Sequence, residues 1–414
     1  MRLFAALTLL LAACAGCSGV PDGPTDDEGP ITFVDGRDTS SGRQVHRLVE
    51  RWNDANPLET VKFLEMSNST DIHRAQLMTR AQDLAGVREG YEDRCYDVMN
   101  LDTVWTSAFA ESGHLVPLPA GEFGADRMLP QVVDQLRVGH DEGRLWAVPW
   151  RVDAGFLFYR RDVLEAEGED PPRTWAELRR LAVEVAPKHG LAGYVGQFAD
   201  YEGLVVNAVE AIWANGGDPL RPDRSEAKAG VEFLARGFEQ GWIPPEATDY
   251  REEESREVFQ AGKALFMRNW PYVRPLLEGP RSAVAGDWGV VALPGPSALG
   301  GWNLAVSRCS THQRTAREFI RFLTREQTQG ELFRDAGWAP SLAGLYPAGG
   351  AALPWESLLG EAVRTALPRP TSAYYDELTS VMRERLRLSL AEPSAIDGLM
   401  DDLAERVQEV REGR

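Results

Sequence analysis

The run Cys95-Tyr96-Asp97-Val98-Met99-Asn100-Leu101-Asp102-Thr103-Val104-Trp105 sets a carboxylate and an indole three residues apart, at the end of a mostly apolar stretch. Asp97 to Leu101 reads as a short buried strand, and Asp102 follows it directly. Ligands in open α/β sheets bind outside the carboxyl ends of the strands, so Asp102 and Trp105 are the first candidates for touching one. The segment by itself equally allows Asp102 as the cap of the next helix and Trp105 as core.

Other chemistries lack their residues. The six His are scattered, with no i,i+4 pair and no Cys or carboxylate cluster at ligand spacing, so no metal is expected. No Gly-x-Gly-x-x-Gly opens the first helix and no Gly-x4-Gly-Lys-[Ser/Thr] occurs, so neither a dinucleotide cofactor nor ATPase chemistry is expected. Across 414 residues the formal net charge is −19, which argues against a nucleic-acid partner, because phosphate binding needs a basic face. Four cysteines, Cys14, Cys17, Cys95 and Cys309, are too few for a disulfide scaffold.

The N-terminus points to a compartment. Met1-Arg2 precedes an unbroken apolar run, Leu3 to Ala13, of signal-peptide length and too short to span a bilayer. It ends in Leu11-Ala12-Ala13-Cys14, which resembles a bacterial lipobox, with Cys14 as the lipidated residue and Cys17 as the alternative. Ser18 to Pro30 is polar, acidic and rich in Gly and Pro, the composition of a tether. The reading is a signal over 1–13, a flexible tether over 14–30, and a lipid-anchored protein outside the cytoplasm.

The elements that must position the site follow from periodicity. Ile31–Asp35, Val61–Glu65 and Asp97–Leu101 read as strands. A helix carrying Val45, Leu48, Val49 and Trp52 on one face lies between the first two, and another with Ile72, Leu77, Ala81 and Leu84 lies before the third. β-α-β-α-β with short connections predicts parallel strands with helices on the faces. Leu145–Asp153 and Gly155–Arg160 read as two strands and a place to change domains. Lys263–Trp270 reads as a strand running into a site, and Gly300-Gly301-Trp302-Asn303 as a break before a strand at Leu304–Ser307. The remainder is helical, with two long helices at the C-terminus.

Six segments then resemble the substrate-binding lipoproteins of carbohydrate ABC importers, nearest to their trehalose/maltose-binding branch. They are Asp97–Glu111, Pro149–Arg160, Tyr201–Asp218, Phe259–Val273, Gly300–Val306 and Arg369–Tyr375, in order across the chain. The resemblance implies an α/β chain of the two-lobe periplasmic-binding-protein type II fold, with doubly wound sheets joined by hinge crossovers. It places lobe one at 31–149 plus 301–345 and lobe two at 150–300 plus 346–414. It also implies that the strand returning to lobe one runs antiparallel beside the third strand. Cys309 would then lie near Cys95, and a disulfide between them is expected.

The same resemblance implies a ligand set. Asp102 and Asp153 would accept from sugar hydroxyls, Arg369 would donate, and Asn269 with Trp270 would bring an amide and a stacking plane. Gly301 would open backbone access beside Trp302, which closes the far side. Asp38 with Arg37, Asn68 with Ser69, Glu202 with Tyr201, and Glu252 complete the candidates. Glu253 is not separable from Glu252, and Trp338 reads rather as core. Aspartate at 153 and tryptophan at 302 depart from the asparagine and leucine found in the branch. So many acids favour a neutral polyol over an anion. The expected activity is hinge closure on a di- or oligosaccharide and delivery to a membrane permease, by a monomer without catalysis or cofactor. The competing reading is an extracytoplasmic glycoside hydrolase using a carboxylate pair.

Overall fold

The computed structural model describes residues 27–40, 42–67, 69–85, 90, 94–139, 141–346, 354–370, 372 and 374–413. The signal and most of the tether, with Cys14 and Cys17, lie outside the described residues, as does Asn68.

The chain begins β1 (Ile31–Gly36), α1 (Gln44–Ala55), β2 (Val61–Met66), α2 (Thr70–Leu84), β3 (Val98–Asp102) and α3 (Thr106–Glu111). β1 pairs in parallel with both β2 and β3, as the alternating pattern requires. Helix α1 buries Val45, Leu48, Val49 and Trp52, the expected face. Helix α2 is turned from its expected face at the start, where Ile72 is 51% exposed and His73 is buried instead. The four buried positions His73, Leu77, Ala81 and Leu84 are the true helical stripe.

A small sheet follows, made of β4 (Leu118–Pro119), β5 (Arg137–Val138) and β6 (Asp141–Leu145) in the order β4-β6-β5, with α4 (Pro130–Val133) between β4 and β5 in the chain. β7 (Val148–Ala154) and β8 (Phe156–Arg160) are separated only by Gly155. Next come α5 (Arg161–Glu167), α6 (Trp175–Glu184), β9 (Ala192–Val195), α7 (Glu202–Ala214) and α8 (Ser225–Glu239). They lead to α9 (Glu252–Gln260), β10 (Ala264–Asn269), α10 (Val273–Leu277) and β11 (Trp288–Ala292). The chain returns through β12 (Ala298–Val306), α11 (Gln313–Thr324), α12 (Glu326–Ala336) and β13 (Ala339–Pro340). It ends in α13 (Pro354–Thr365), β14 (Leu367–Pro368), α14 (Tyr375–Ala391) and α15 (Ile396–Arg411).

The larger sheet runs β13-β7-β12-β3-β1-β2, with β14 pairing the start of β12, and the second runs β11-β8-β10-β9. β12 lies antiparallel to β3, Trp302 opposite Asp102 and Val306 opposite Val98. It is longer than the sequence suggests, because the Gly-Gly-Trp-Asn run is a bulge inside one strand and not an interruption before it. The register against β7 slips between Trp302 and Asn303. Gly301 has φ +143, and a Cβ there would meet the Arg151 carbonyl oxygen at 2.6 Å.

The cuts expected at 149/150 and 300/301 run through β7 and β12, both of which stay in the larger sheet. The chain changes sheets at Gly155 and again between β11 and β12. Gly155 donates its N–H to Ser297 Oγ at 2.5 Å. A Cβ on Gly155 would come within 2.6 Å of Arg268 Nη2 and 2.8 Å of Glu210 Oε1, so only glycine passes this crossover. β10 is buried at all six positions, since helices cover both faces of its sheet. α14 packs on α7, α8 and α15 and so belongs with the second sheet.

Cys95 and Cys309 form a disulfide with Cα atoms 5.8 Å apart and a separation of 214 positions in sequence. Closing a loop that long removes about 5 kcal/mol of unfolded-chain entropy in the loop-closure description. The Cys95→Ser/Cys309→Ser double variant is expected to lose about 2–5 kcal/mol of stability, read as a lower urea midpoint than that of the oxidised protein.

Candidate functional site

A cleft of about 380 Å³ lies between the two sheets. Its first wall is built at the carboxyl ends of the larger sheet's strands. Asp35 and Asp38 come from the end of β1, Asp102 from the end of β3, Arg151 and Asp153 from β7, and Trp302 from β12. The start of α2 adds Ser69 and His73. The opposite wall brings Tyr201 and Glu202 from the start of α7, Glu252 and Glu253 from the start of α9, Trp270 and Tyr272. Arg369 and Trp338 close the ends.

Most expected residues are therefore brought together: Asp38, Asp102, Asp153, Glu202, Glu252, Trp270, Gly301, Trp302 and Arg369 all line one space, and so does Glu253. Asn269 does not. It is fully buried behind the wall, donating to the Glu252 carbonyl oxygen at 3.0 Å and accepting from the Trp270 N–H at 2.8 Å. It positions the indole and the start of α9. Trp105 is also behind the wall, 2% exposed. Trp338 is buried in the core, as expected, and also lines the cleft. Sequence reasoning missed His73 and Arg151. The first lies on the α2 stripe and the second two residues before Asp153 on the same strand face, so helix and strand periodicity could have found both.

Arg369, 4% exposed, joins the two walls. Its Nη2 donates to Asp102 Oδ1 and its Nη1 to Glu202 Oε1, both at 2.6 Å. Glu202 also accepts from Tyr375 Oη at 2.5 Å and Thr379 Oγ1 at 2.7 Å. Asp102 Oδ1 accepts in addition from the Val104 N–H at 3.2 Å, so the carboxylate caps the turn after β3 while lining the cleft. Burial holds the Asp102 carboxyl above its ordinary range, outweighing the Arg369 charge. At the rim, α2 and α14 exchange reciprocal ion pairs, Asp71 with Arg383 and Arg74 with Asp376.

The other acids divide by how their oxygens are used. Asp38 caps α1, accepting from the Val45 N–H at 2.9 Å and the His46 N–H at 3.3 Å. Glu252 accepts from Tyr201 Oη at 2.8 Å, and burial raises its pKa. Asp153 accepts from no described residue. Burial pushes it up to about 6, against the lowering effect of Arg151 and with help from Asp102.

Two indoles face this space from opposite sheets. Trp302 is backed by His73, stacked at 5.7 Å, and by Trp105, edge-on at 5.5 Å. His73 is held neutral, its pKa lowered to about 3 by burial and by Arg151. Trp270 lies over the Arg268 guanidinium at 3.8 Å, and Arg268 is paired with Glu210. The arrangement offers flat apolar faces between rows of acceptors and donors, the contacts a polyhydroxylated ring requires.

The sign of the Asp153 effect follows from its raised pKa. Below about pH 4 both folded and unfolded chains hold the proton and nothing is lost. As pH rises through about 6 the folded protein must ionise a buried carboxyl, and stability falls. Asp153→Asn is expected to stabilise the ligand-free protein by about 1–2 kcal/mol at pH 7.5, a gain that vanishes near pH 4, as measured by denaturant midpoints across that range.

Bacterial extracellular solute-binding proteins match residues 38–330 of the chain. A probable ABC transporter-binding protein of Deinococcus radiodurans is 33% identical over 369 residues, 81% of this chain and 83% of its own. The maltose-bound MalE3 of T. maritima is 31% identical with a TM-score of 0.83, covering 92% of this chain and 99% of its own. A mannitol-binding protein of Pseudomonas aeruginosa is 26% identical over 314 residues, 70% of this chain and 68% of its own. The architecture is the two-lobe periplasmic-binding-protein fold.

Proposed function

The chain belongs to the bacterial extracellular solute-binding proteins, and from that footing we propose that it captures a neutral di- or oligosaccharide, an α-glucoside of the trehalose or maltose kind, and delivers it to the membrane permease of an ABC importer. The observation that carries this reading is the cleft itself, lined from both sheets by carboxylates and by the indoles of Trp270 and Trp302. Its volume of about 380 Å³ sits toward the small end of ligand pockets, which favours a short glycoside. The T. maritima relative, at 31% identity, was solved with maltose. Acids outnumber guanidinium groups along the walls, which disfavours sugar phosphates and other anions.

The lobes we propose meet at Gly155 and between β11 and β12, a few residues from the cuts read in sequence. Closure brings Arg369 against acids of both walls, so the closed form gains contacts that an open one lacks. We place the mature chain as a monomer anchored by lipid at Cys14, with Cys17 as the alternative. Hydrolysis has no support. The relatives are named as binding proteins, and in the Asp102–Asp153 pair Asp102 is committed to Arg369.

A thermal-shift panel of maltose, trehalose, mannitol and glucose 6-phosphate tests the reading. The neutral glycoside that fits is expected to raise the melting temperature, corresponding to about 3 kcal/mol at a hundredfold excess over its Kd. Asp102→Ala is expected to remove that shift. No shift with any neutral sugar would sink the proposal.

A further inference from the structure

Arg151 and Asp153 lie two apart on β7, so their side chains leave the same face of the strand, and both line the cleft. The Arg151 guanidinium is held among indoles, 4.2 Å from the Trp338 ring, 5.2 Å from Trp302 and 5.4 Å from Trp150. That cage fixes where the charge sits without using any of its N–H groups. The nearest acid is Asp35, with Oδ1 3.6 Å from Arg151 Nη2, an ion pair too long for a hydrogen bond. Asp35 Oδ1 is already taken by Asn100 Nδ2 and the Gly36 N–H, each at 2.6 Å. Arg151 therefore makes no hydrogen bond to any described residue, and its Nε is buried without a partner. Asp153 likewise accepts none. The wall thus presents an unspent donor fork beside an unspent acceptor, both lining the cleft.

We propose that Arg151 and Asp153 together read a pair of adjacent hydroxyls on the bound molecule, Arg151 donating to their oxygens and Asp153 accepting from their protons. The proposal rests on the sugar-binding reading above and names the feature of the sugar that the site selects. A vicinal diol satisfies both side chains because each hydroxyl is donor and acceptor at once. A carboxylate on the ligand would satisfy Arg151 but face Asp153, and an amine would do the reverse. Planar guanidinium recognition of two oxygens also explains why a lysine would not serve equally.

Isothermal titration with maltose and trehalose, and then with monodeoxy derivatives of whichever binds, tests this in wild type, Arg151→Met, Arg151→Lys and Asp153→Asn. Arg151→Met keeps the apolar stem in its cage and removes the donors. It is expected to weaken binding by about 10- to 100-fold, with Arg151→Lys between it and wild type. The deoxy sugar lacking a contacted hydroxyl is expected to lose a similar factor in wild type and little more in Arg151→Met, a coupling that a purely structural role would not produce. If Arg151→Met binds within twofold of wild type, or if the two losses simply add, Arg151 only packs, and this inference falls while the sugar-binding reading stands. A wild-type preference for a glucuronide over the parent glycoside by tenfold or more puts an anion at Arg151 and overturns it as well. Binding of no neutral sugar by wild type overturns the proposed function and this inference together.

Discussion

One buried ion pair carries the second wall of the cleft. Arg268 and Glu210 are 1% and 2% exposed at their side chains, joined by Nη2 to Oε1 at 2.7 Å and Nε to Oε2 at 2.9 Å. Taking both charges out of water costs several kcal/mol each, and the pair offsets this only because its geometry is bidentate and its remaining atoms are used. Glu210 Oε1 also accepts from the Ala298 N–H at 2.9 Å, fixing the start of β12. Arg268 Nη1 donates to Gln197 Oε1 at 3.2 Å, and Gln197 reaches Ser255 on α9 at 2.8 Å. The Arg268 guanidinium supports the Trp270 ring, and its neighbour Gly155 gives up a side chain to make room. Crossover, returning strand, stacking indole and the helix bearing Glu252 therefore share one electrostatic anchor.

The indole of the first wall rests chiefly on ring packing. Trp302 is set by the bulge in β12, which Gly301 permits, and is then clamped between His73 and Trp105. A neutral imidazole suits this place, because a protonated one would sit close to Arg151 in a dry environment. Both walls thus end in a rigid indole, one held by an ion and one by rings. The polar groups between them are either tied to each other, as Asp102, Glu202 and Arg369 are, or left open, as Asp153 and Arg151 are.

The early part of the fold is plain in the sequence, because α1 carries one clean helical stripe and β1 and β3 are short runs buried at nearly every position. The helix α2 was found but rotated at its start, since Ile72 outweighs His73 on any hydrophobic scale while the buried stripe uses the histidine's ring as an aromatic. β12 was read short because two glycines and an asparagine look like a turn until a partner strand shows that the glycine is a bulge. At the site, acids at strand ends were legible from type and position. Asn269 was misread as lining because an amide beside a tryptophan is equally suited to a ligand and to a backbone carbonyl. Arg151 was overlooked because an arginine following Trp150 looks like a solvated strand residue. Only the three-dimensional meeting of Trp150, Trp302 and Trp338 shows the guanidinium enclosed. The glycine at the crossover shows the same limit: the pair it must avoid comes from positions 210 and 268.

Arg369 has a kinetic meaning beyond its place in the ion network. Its two bonds, to Asp102 on one side and Glu202 on the other, span the cleft, and the rim pairs between α2 and α14 lie along the same flank. Parting these links is a cost of opening that adds to whatever contacts a lodged molecule makes with the walls. Where escape goes with lobe opening, residence time then reflects the strength of these links as well as the grip on the guest. Two guests of unequal affinity would then leave at more similar rates than their equilibrium constants suggest, with the difference appearing in how readily each allows the links to form.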